Sequence, residues 1–190
     1  MIILSSDQKK VIAALLAWGK HRQKNFITVG GYAGTGKTTL IAIFRKKLYH
    51  RDKKLKVAFV SFTGKAARVL RTKLIDAKAI APSDFIGTIH SLIYSPIVND
   101  NKEIVGWGKR EKIKYDLIII DEASMVDREI WNDLSSYQIP IIAVGDHGQL
   151  PPIRGSFNLM KEPDLKLEEI HRQEQNNPII QLSRTARRCG

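Results

Sequence analysis

Residues 31–38, Gly31-Tyr32-Ala33-Gly34-Thr35-Gly36-Lys37-Thr38, match the pattern G-x-x-x-x-G-K-[ST] in full, and they lie between a β-prone run, Phe26 to Val29, and an apolar-periodic stretch, Leu40 to Leu48. That placement is restrictive. Small residues let successive backbone N–H groups converge on an anion, and a helix starting there aims the positive end of its dipole at the same point. The pattern predicts a strand, a phosphate-cradling loop and a helix, in that order. Gly31, Ala33, Gly34, Thr35, Gly36, Lys37, Thr38 and Thr39 are expected to surround the phosphates of ATP. Within that set Lys37 should reach the β- and γ-phosphates and Thr38 should coordinate Mg2+.

A loop of this kind needs a carboxylate at the end of a buried strand, and Tyr115-Asp116-Leu117-Ile118-Ile119-Ile120-Asp121-Glu122 supplies one. Asp121 is expected to hold Mg2+ through its water shell. Glu122 is expected to orient and deprotonate the attacking water, the step that separates hydrolysis of ATP from binding it. The alternative is an acidic pair capping the next helix.

The rest of the chain alternates between the two periodicities. Ser5 to Gln8 reads as a capping box, and Val11, Ile12, Leu15 and Leu16 then recur at helical spacing, so a helix should run to about Trp18. Lys56 to Phe62 is the next strand candidate, apolar without a break from Val57 to Val60, as a strand covered on both faces should be. A helix over Ala66 to Leu74, a strand at Leu117 to Ile120, a helix around Ile130 and Leu134 and a strand at Ile139 to Val144 follow. Strands alternating with helices imply an α/β domain around a mainly parallel sheet. Ser91 to Lys114 breaks the rhythm: two short β-prone runs flank Asn99-Asp100-Asn101-Lys102, which predicts an inserted hairpin at about 92–114, with an ordinary surface loop as the alternative.

Composition bounds the setting. The 190 residues, 43% hydrophobic and 26% charged, suit one domain with a real core, and no apolar run approaches the ~18–20 residues that would cross a bilayer. The N-terminus lacks a secretory pattern and the single cysteine, Cys189, cannot form an internal disulfide, so an intracellular, cytoplasmic setting is expected. The net charge of +12 attracts polyanions by counterion release, which makes nucleic acid the leading partner; clusters such as Arg51-Asp52-Lys53-Lys54 equally read as solubilising surface.

Six further segments carry a resemblance to superfamily 1 DNA helicases, in particular the RecD, Pif1 and Dda branch. Leu4-Ser5-Ser6-Asp7-Gln8 resembles the adenine-reading segment of that family, and the phosphate loop its first motif. Ser61-Phe62-Thr63-Gly64-Lys65-Ala66-Ala67 and Thr88-Ile89-His90-Ser91 are similar to two segments that grip single-stranded DNA. Asp121-Glu122-Ala123-Ser124-Met125-Val126, Val144-Gly145-Asp146-His147-Gly148-Gln149-Leu150-Pro151-Pro152 and Leu167-Glu168-Glu169-Ile170-His171-Arg172-Gln173 resemble the remaining motifs, so the likeness runs from residue 4 to about 188.

The resemblance implies a RecA-like fold and specific roles. Gln8 would read adenine with its amide, or complete the capping box. Gln149 would sense the γ-phosphate, and Arg172 would touch it with a forked guanidinium, or else pair with Glu168 or Glu169 at the surface. Phe62, Thr63, Gly64, Lys65, Thr88 and His90 would contact DNA, with Phe62 the one most readily explained as core. Trp18 and Trp131 should pack between helices, whereas Trp107, beside the hairpin, either touches DNA or packs.

It also implies a partner in the same parent chain. Helicases of this group work with two RecA-like domains, and the run Arg184-Thr185-Ala186-Arg187-Arg188-Cys189-Gly190 ends where the family continues into the second. Residues 1–190 are accordingly expected to be one motor domain, monomeric, binding ATP with slow turnover, from a parent moving 5′ to 3′ on single-stranded DNA. The alternatives are a stand-alone ATPase resembling the PhoH group and a nonenzymatic DNA-binding module.

Overall fold

A computed structural model describes residues 4–149 and 157–169. Ser6–Trp18 is α1, Phe26–Gly31 is β1, Lys37–Arg51 is α2, Val57–Ser61 is β2 and Gly64–Asp76 is α3. Phe85–Thr88 (β3), Ile89–Ile93 (α4) and the strands Tyr94–Val98 (β4) and Ile104–Lys109 (β5) come next. Leu117–Asp121 is β6, Arg128–Ser135 is α5, Ile141–Gly145 is β7 and Leu165–Leu167 is β8. Six strands form one sheet in the order β3-β2-β6-β7-β1-β8, and every neighbouring pair in it is parallel. The α/β, RecA-like architecture expected from the alternation is the one observed.

Successive strand residues feed opposite layers, as the pleat requires. Val57, Phe59, Ile119, Ile142 and Val144 face α1, α2 and α3, meeting Leu15, Leu40, Phe44, Leu70 and Leu74. Ala58, Val60, Ile118, Ile120 and Ala143 face the other way, against Ile89 and Ile93 of α4 and Ile130, Trp131 and Leu134 of α5. Both faces are therefore covered, which is why β2 and β6 read as unbroken apolar runs rather than alternating ones. Each buried Ile or Leu contributes ~1.5–3 kcal/mol relative to an exposed one, so the middle of the sheet carries the core.

A buried ion pair ties three elements together under that core. Arg45 of α2, 1% exposed, donates from Nε at 2.8 Å and Nη2 at 2.9 Å to the Asp84 carboxylate, which also accepts from the backbone N–H of Val57 at 3.1 Å and of Ala81 at 2.9 Å. Asp84 thus closes α2, the start of β2 and the approach to β3 around one charge pair. At the opposite sheet edge, Asp164 accepts from the Thr28 N–H at 2.9 Å and hydroxyl at 2.8 Å, which seats the short β8 beside β1.

The predicted elements are present with shifted ends: the strand expected over Lys56 to Phe62 shortens to Val57–Ser61, and the one expected over Ile139 to Val144 runs from Ile141 to Gly145. The first strand runs on from Val29 to Gly31, and the helix after the phosphate loop begins three residues before Leu40, at Lys37, because loop residues complete its first turn. β3, α4 and β8 were not anticipated. Phe85-Ile86-Gly87-Thr88 and Leu165-Lys166-Leu167 are too short to show a period, and their neighbours in the sheet decide them.

The interrupted stretch does form a hairpin. β4 and β5 pair antiparallel in a sheet of their own, with a register shift at Ile97/Val98, and the Asn99 carboxamide oxygen accepts from the N–H groups of Asn101 at 3.0 Å and Glu103 at 2.9 Å. Tyr94 and Lys109, opposite each other at its base, both bind Asp133 of α5, the lysine at 3.1 Å. The stem is fixed and the tip projects. Trp131 packs edge-on to Phe26 at 5.1 Å between centroids, whereas Trp107 on β5 is 64% exposed.

Candidate nucleotide site

Gly34 and Gly36 adopt φ of 89° and 79°, a left-handed backbone that L side chains resist, so the loop can turn back over the start of α2. Gly31 is tight for a different reason: a Cβ there would lie 2.6 Å from the Thr35 hydroxyl oxygen. Thr35 is buried and donates from its hydroxyl to the Tyr32 carbonyl at 2.9 Å, which holds the loop in a curl. Ala33 is exposed at the tip, and Thr38 and Thr39 lie partly buried in the first turn of α2. Within the curl, the Lys37 ammonium donates to the carbonyls of Gly31 at 2.6 Å and Tyr32 at 3.0 Å. Burial pushes the Lys37 pKa down, against the pull of Asp146, Asp121 and Glu122.

Three carboxylates surround that cation, from two neighbouring strand ends. Asp121 closes β6 and accepts from the Thr38 hydroxyl at 3.4 Å. Desolvation raises its pKa, opposed by the Glu122 N–H that it accepts at 3.1 Å. Glu122 has φ 59° and ψ 41°, a left-handed residue without glycine's freedom, and this strain turns its exposed side chain away from the strand direction. Asp146 follows β7, is 4% exposed, and accepts the Gly148 N–H at 2.9 Å. Beyond it, Gln149 accepts the Ser124 hydroxyl at 3.0 Å through Oε1, joining the turn after β6 to the turn after β7.

Gln8 lies where the sequence places it and is engaged. Its Oε1 accepts the Ser5 N–H at 3.2 Å, completing the capping box, and its Nε2 donates to the Thr35 carbonyl at 3.2 Å. The helix cap and the phosphate loop share one amide. Asp7, next to it, accepts from the N–H groups of Glu168 at 2.9 Å and Glu169 at 3.0 Å. Arg172 lies outside the described residues, as do Leu150, Pro151 and Pro152.

These groups fit a nucleotide and Mg2+. Among the described residues no cluster of His, Cys, Asp or Glu could cage a metal alone. Mg2+ does not need one, since it binds through one or two protein oxygens with phosphates and water completing the shell. Thr38 and Asp121 could form such a pair, and burying the Asp121 carboxylate, which pushes its pKa up, carries a cost. That cost has a sign. A carboxylate with a raised folded pKa disfavours folding above that pKa, and the penalty vanishes below its ordinary value of 3.8. The Asp121→Asn variant should therefore melt at a higher temperature than the parent near pH 7 without nucleotide, and the gap should close toward pH 4; a lower melting point at neutral pH would contradict the assignment.

The segments predicted for DNA come together at the other side of the same rim. β2 and β3 are neighbours in a register that pairs Ser61 with Thr88, so the residues after each strand emerge side by side. Thr63 caps α3 by accepting the Ala66 N–H at 3.2 Å, and Thr88 caps α4 by accepting the Ser91 N–H at 3.1 Å. Phe62 is partly buried just past the strand, edge-on to His90 at 6.4 Å between centroids, while His90, Gly64 and Lys65 are exposed. A Cβ at Gly64 would meet nothing within 4 Å, which leaves the backbone there open to close approach.

Asp146 and His147, both in the 144–152 segment, stand at the site in addition to the residues expected there. His147 lies against Tyr32 of the phosphate loop, with ring centroids 4.3 Å apart, and burial pushes its pKa down. A polar residue at a strand end facing the loop was the available signal.

The sheet order, the curled loop and the acidic strand ends define a P-loop nucleotide-binding domain. The chain belongs to the AAA domain family, whose profile matches residues 3–188, and its sequence is similar to that of RecD-type proteins. It is 33% identical over 146 residues to the RecBCD enzyme subunit RecD of Buchnera aphidicola, covering 70% of this chain and 24% of that protein. It is 31% identical over 191 residues to the ATP-dependent RecD2 DNA helicase of Deinococcus radiodurans, covering 95% of this chain and 23% of the relative. The fold resembles that of Pif1 helicase from Candida albicans, with a TM-score of 0.60 at 24% identity over 98% of this chain and 44% of that one. The chain thus spans about a quarter of these two curated relatives. No helix of the described residues is long and apolar enough to cross a membrane.

Proposed function

We propose that the chain binds and hydrolyses ATP as the N-terminal motor domain of an ATP-dependent DNA helicase acting on single-stranded DNA. The observation that supports this best is Lys37, held in a glycine-curled loop and faced by Asp121, Glu122 and Asp146. In this reading Lys37 exchanges the carbonyls of Gly31 and Tyr32 for β- and γ-phosphate oxygens. Gly34, Thr35 and Gly36 offer backbone N–H groups, and Gln8, whose amide is bonded to Ser5 and Thr35, would exchange those partners to read the base.

Thr38 directly and Asp121 through its water shell would hold Mg2+, which would supply positive charge to the phosphates. Glu122, exposed at the mouth, takes a proton from the attacking water onto its carboxylate. Gln149 reports the γ-phosphate to Ser124 through the bond already described. Phe62, Thr63, Gly64, Lys65, Thr88 and His90 form the DNA-facing rim, with Trp107 on the projecting hairpin. Arg172 and a second RecA-like domain in the same parent chain complete the γ-phosphate contacts, and the direction, 5′ to 3′, follows the RecD and Pif1 branch.

The test compares nucleotide affinity and steady-state ATP turnover, with and without single-stranded DNA, for this chain, its Lys37→Ala variant and a version extended through its natural downstream sequence. Lys37→Ala should weaken nucleotide binding by ~10–100-fold, the loss of charged hydrogen bonds worth ~1.5–3 kcal/mol. Turnover should be slow in the short chain and DNA-stimulated in the extended one. Fast, DNA-independent turnover by the short chain would instead support a self-sufficient ATPase.

A further inference from the structure

We propose that the end of the domain opposite the phosphate loop docks an acidic peptide segment of a partner protein, one that carries a large apolar side chain. In a parallel sheet all strands start at one rim and finish at the other. The nucleotide groups and the DNA-facing residues stand at the finishing rim. At the starting rim a cavity of about 240 Å3 opens, with Leu15, Trp18, Phe44, Leu48, Leu117 and Ile142 among its walls. Such walls give water few partners and favour an apolar body. The Trp18 indole N–H is buried with no acceptor among the described residues, and a native structure seldom leaves a buried donor so.

The mouth is cationic. Lys20, Arg22 and Arg51 line it, all three are exposed, and none makes an ion pair among the described residues. The one acid there, Asp116, already accepts the Lys56 N–H at 2.8 Å. Charge then decides between occupants. A second copy would bring its own net charge of +12. The chain's residues 170–190 hold Arg172, Arg184, Arg187 and Arg188 against the single acid Glu174, and are repelled in the same way. A nucleic acid would satisfy the cations, but its base edges would go unpaired against aliphatic walls. An acidic peptide with a Phe or Leu meets both requirements and leaves the DNA-facing rim free.

The test uses the whole chain and a fluorescein-labelled synthetic peptide of Asp and Glu residues with one Phe, followed by anisotropy at low and physiological salt. Saturable binding is expected, weakened about tenfold or more when the peptide's Phe is replaced by Ala, since one buried aromatic ring accounts for that much. The double variant Arg22→Glu/Arg51→Glu should also weaken it about tenfold, with affinity for a nonhydrolysable ATP analogue unchanged. Equal binding of the Phe and Ala peptides would overturn the proposal by reducing the surface to undirected charge. So would a charge reversal that costs oligonucleotide binding and leaves peptide binding intact, which would make this pole a nucleic-acid surface.

Discussion

Glu122→Gln should lower ATP turnover by ~10²–10⁴ while nucleotide affinity stays within a fewfold of the parent, because the substitution removes a proton acceptor and almost nothing else. Glutamine matches glutamate in size and meets the same backbone constraint, φ 59°. The side chain is exposed and accepts no hydrogen bond among the described residues, so neither the core nor the loop depends on its charge. The sheet geometry makes the effect specific. Asp121 ends the strand and turns toward Thr38, and the left-handed step sends the next carboxylate elsewhere. Two adjacent acids thereby point to different places, as the proposed roles require. Turnover and analogue binding measured on one preparation decide the matter: a variant retaining more than about a tenth of parental turnover would move the base to another group.

The second large effect is on stability. Asp84→Ala should cost ~3–5 kcal/mol, because it leaves the Arg45 guanidinium, 1% exposed, without its counter-charge. For a domain of this size that corresponds to a fall in melting temperature of ~6–20 °C. The Val57 and Ala81 N–H groups lose their acceptor in the same step. Arg45→Met/Asp84→Leu should recover most of the loss, since apolar residues of similar volume replace such pairs at little cost. Thermal melts of the parent, the single and the double variant would check this; a double variant as unstable as the single one would mean that the backbone contacts, not the charge, dominate.

Much of this was legible before any coordinates. The phosphate loop was readable because its chemistry needs particular residues at fixed spacing, and β2 and β6 because a strand buried on both faces leaves a continuous apolar run. The capping box at Ser5 and Gln8 was readable as local hydrogen bonding. Arg45 and Asp84 were not: they stand 39 residues apart, and neither spacing nor composition announces that two charges will meet inside a core. β8 escaped for a similar reason, since three residues become a strand only because Asp164 fastens them to Thr28. The second task of Gln8, its bond to Thr35, is likewise a product of folding.

Asp7 and Gln8 occupy successive positions of α1, ~100° apart around its axis, and each holds a different length of chain. Gln8 grips the phosphate loop at Thr35, while Asp7 grips the backbone at Glu168 and Glu169, three residues short of Arg172. The first turn of α1 therefore fastens two distant lengths of chain, the phosphate loop and the backbone that follows β8, to one helix end.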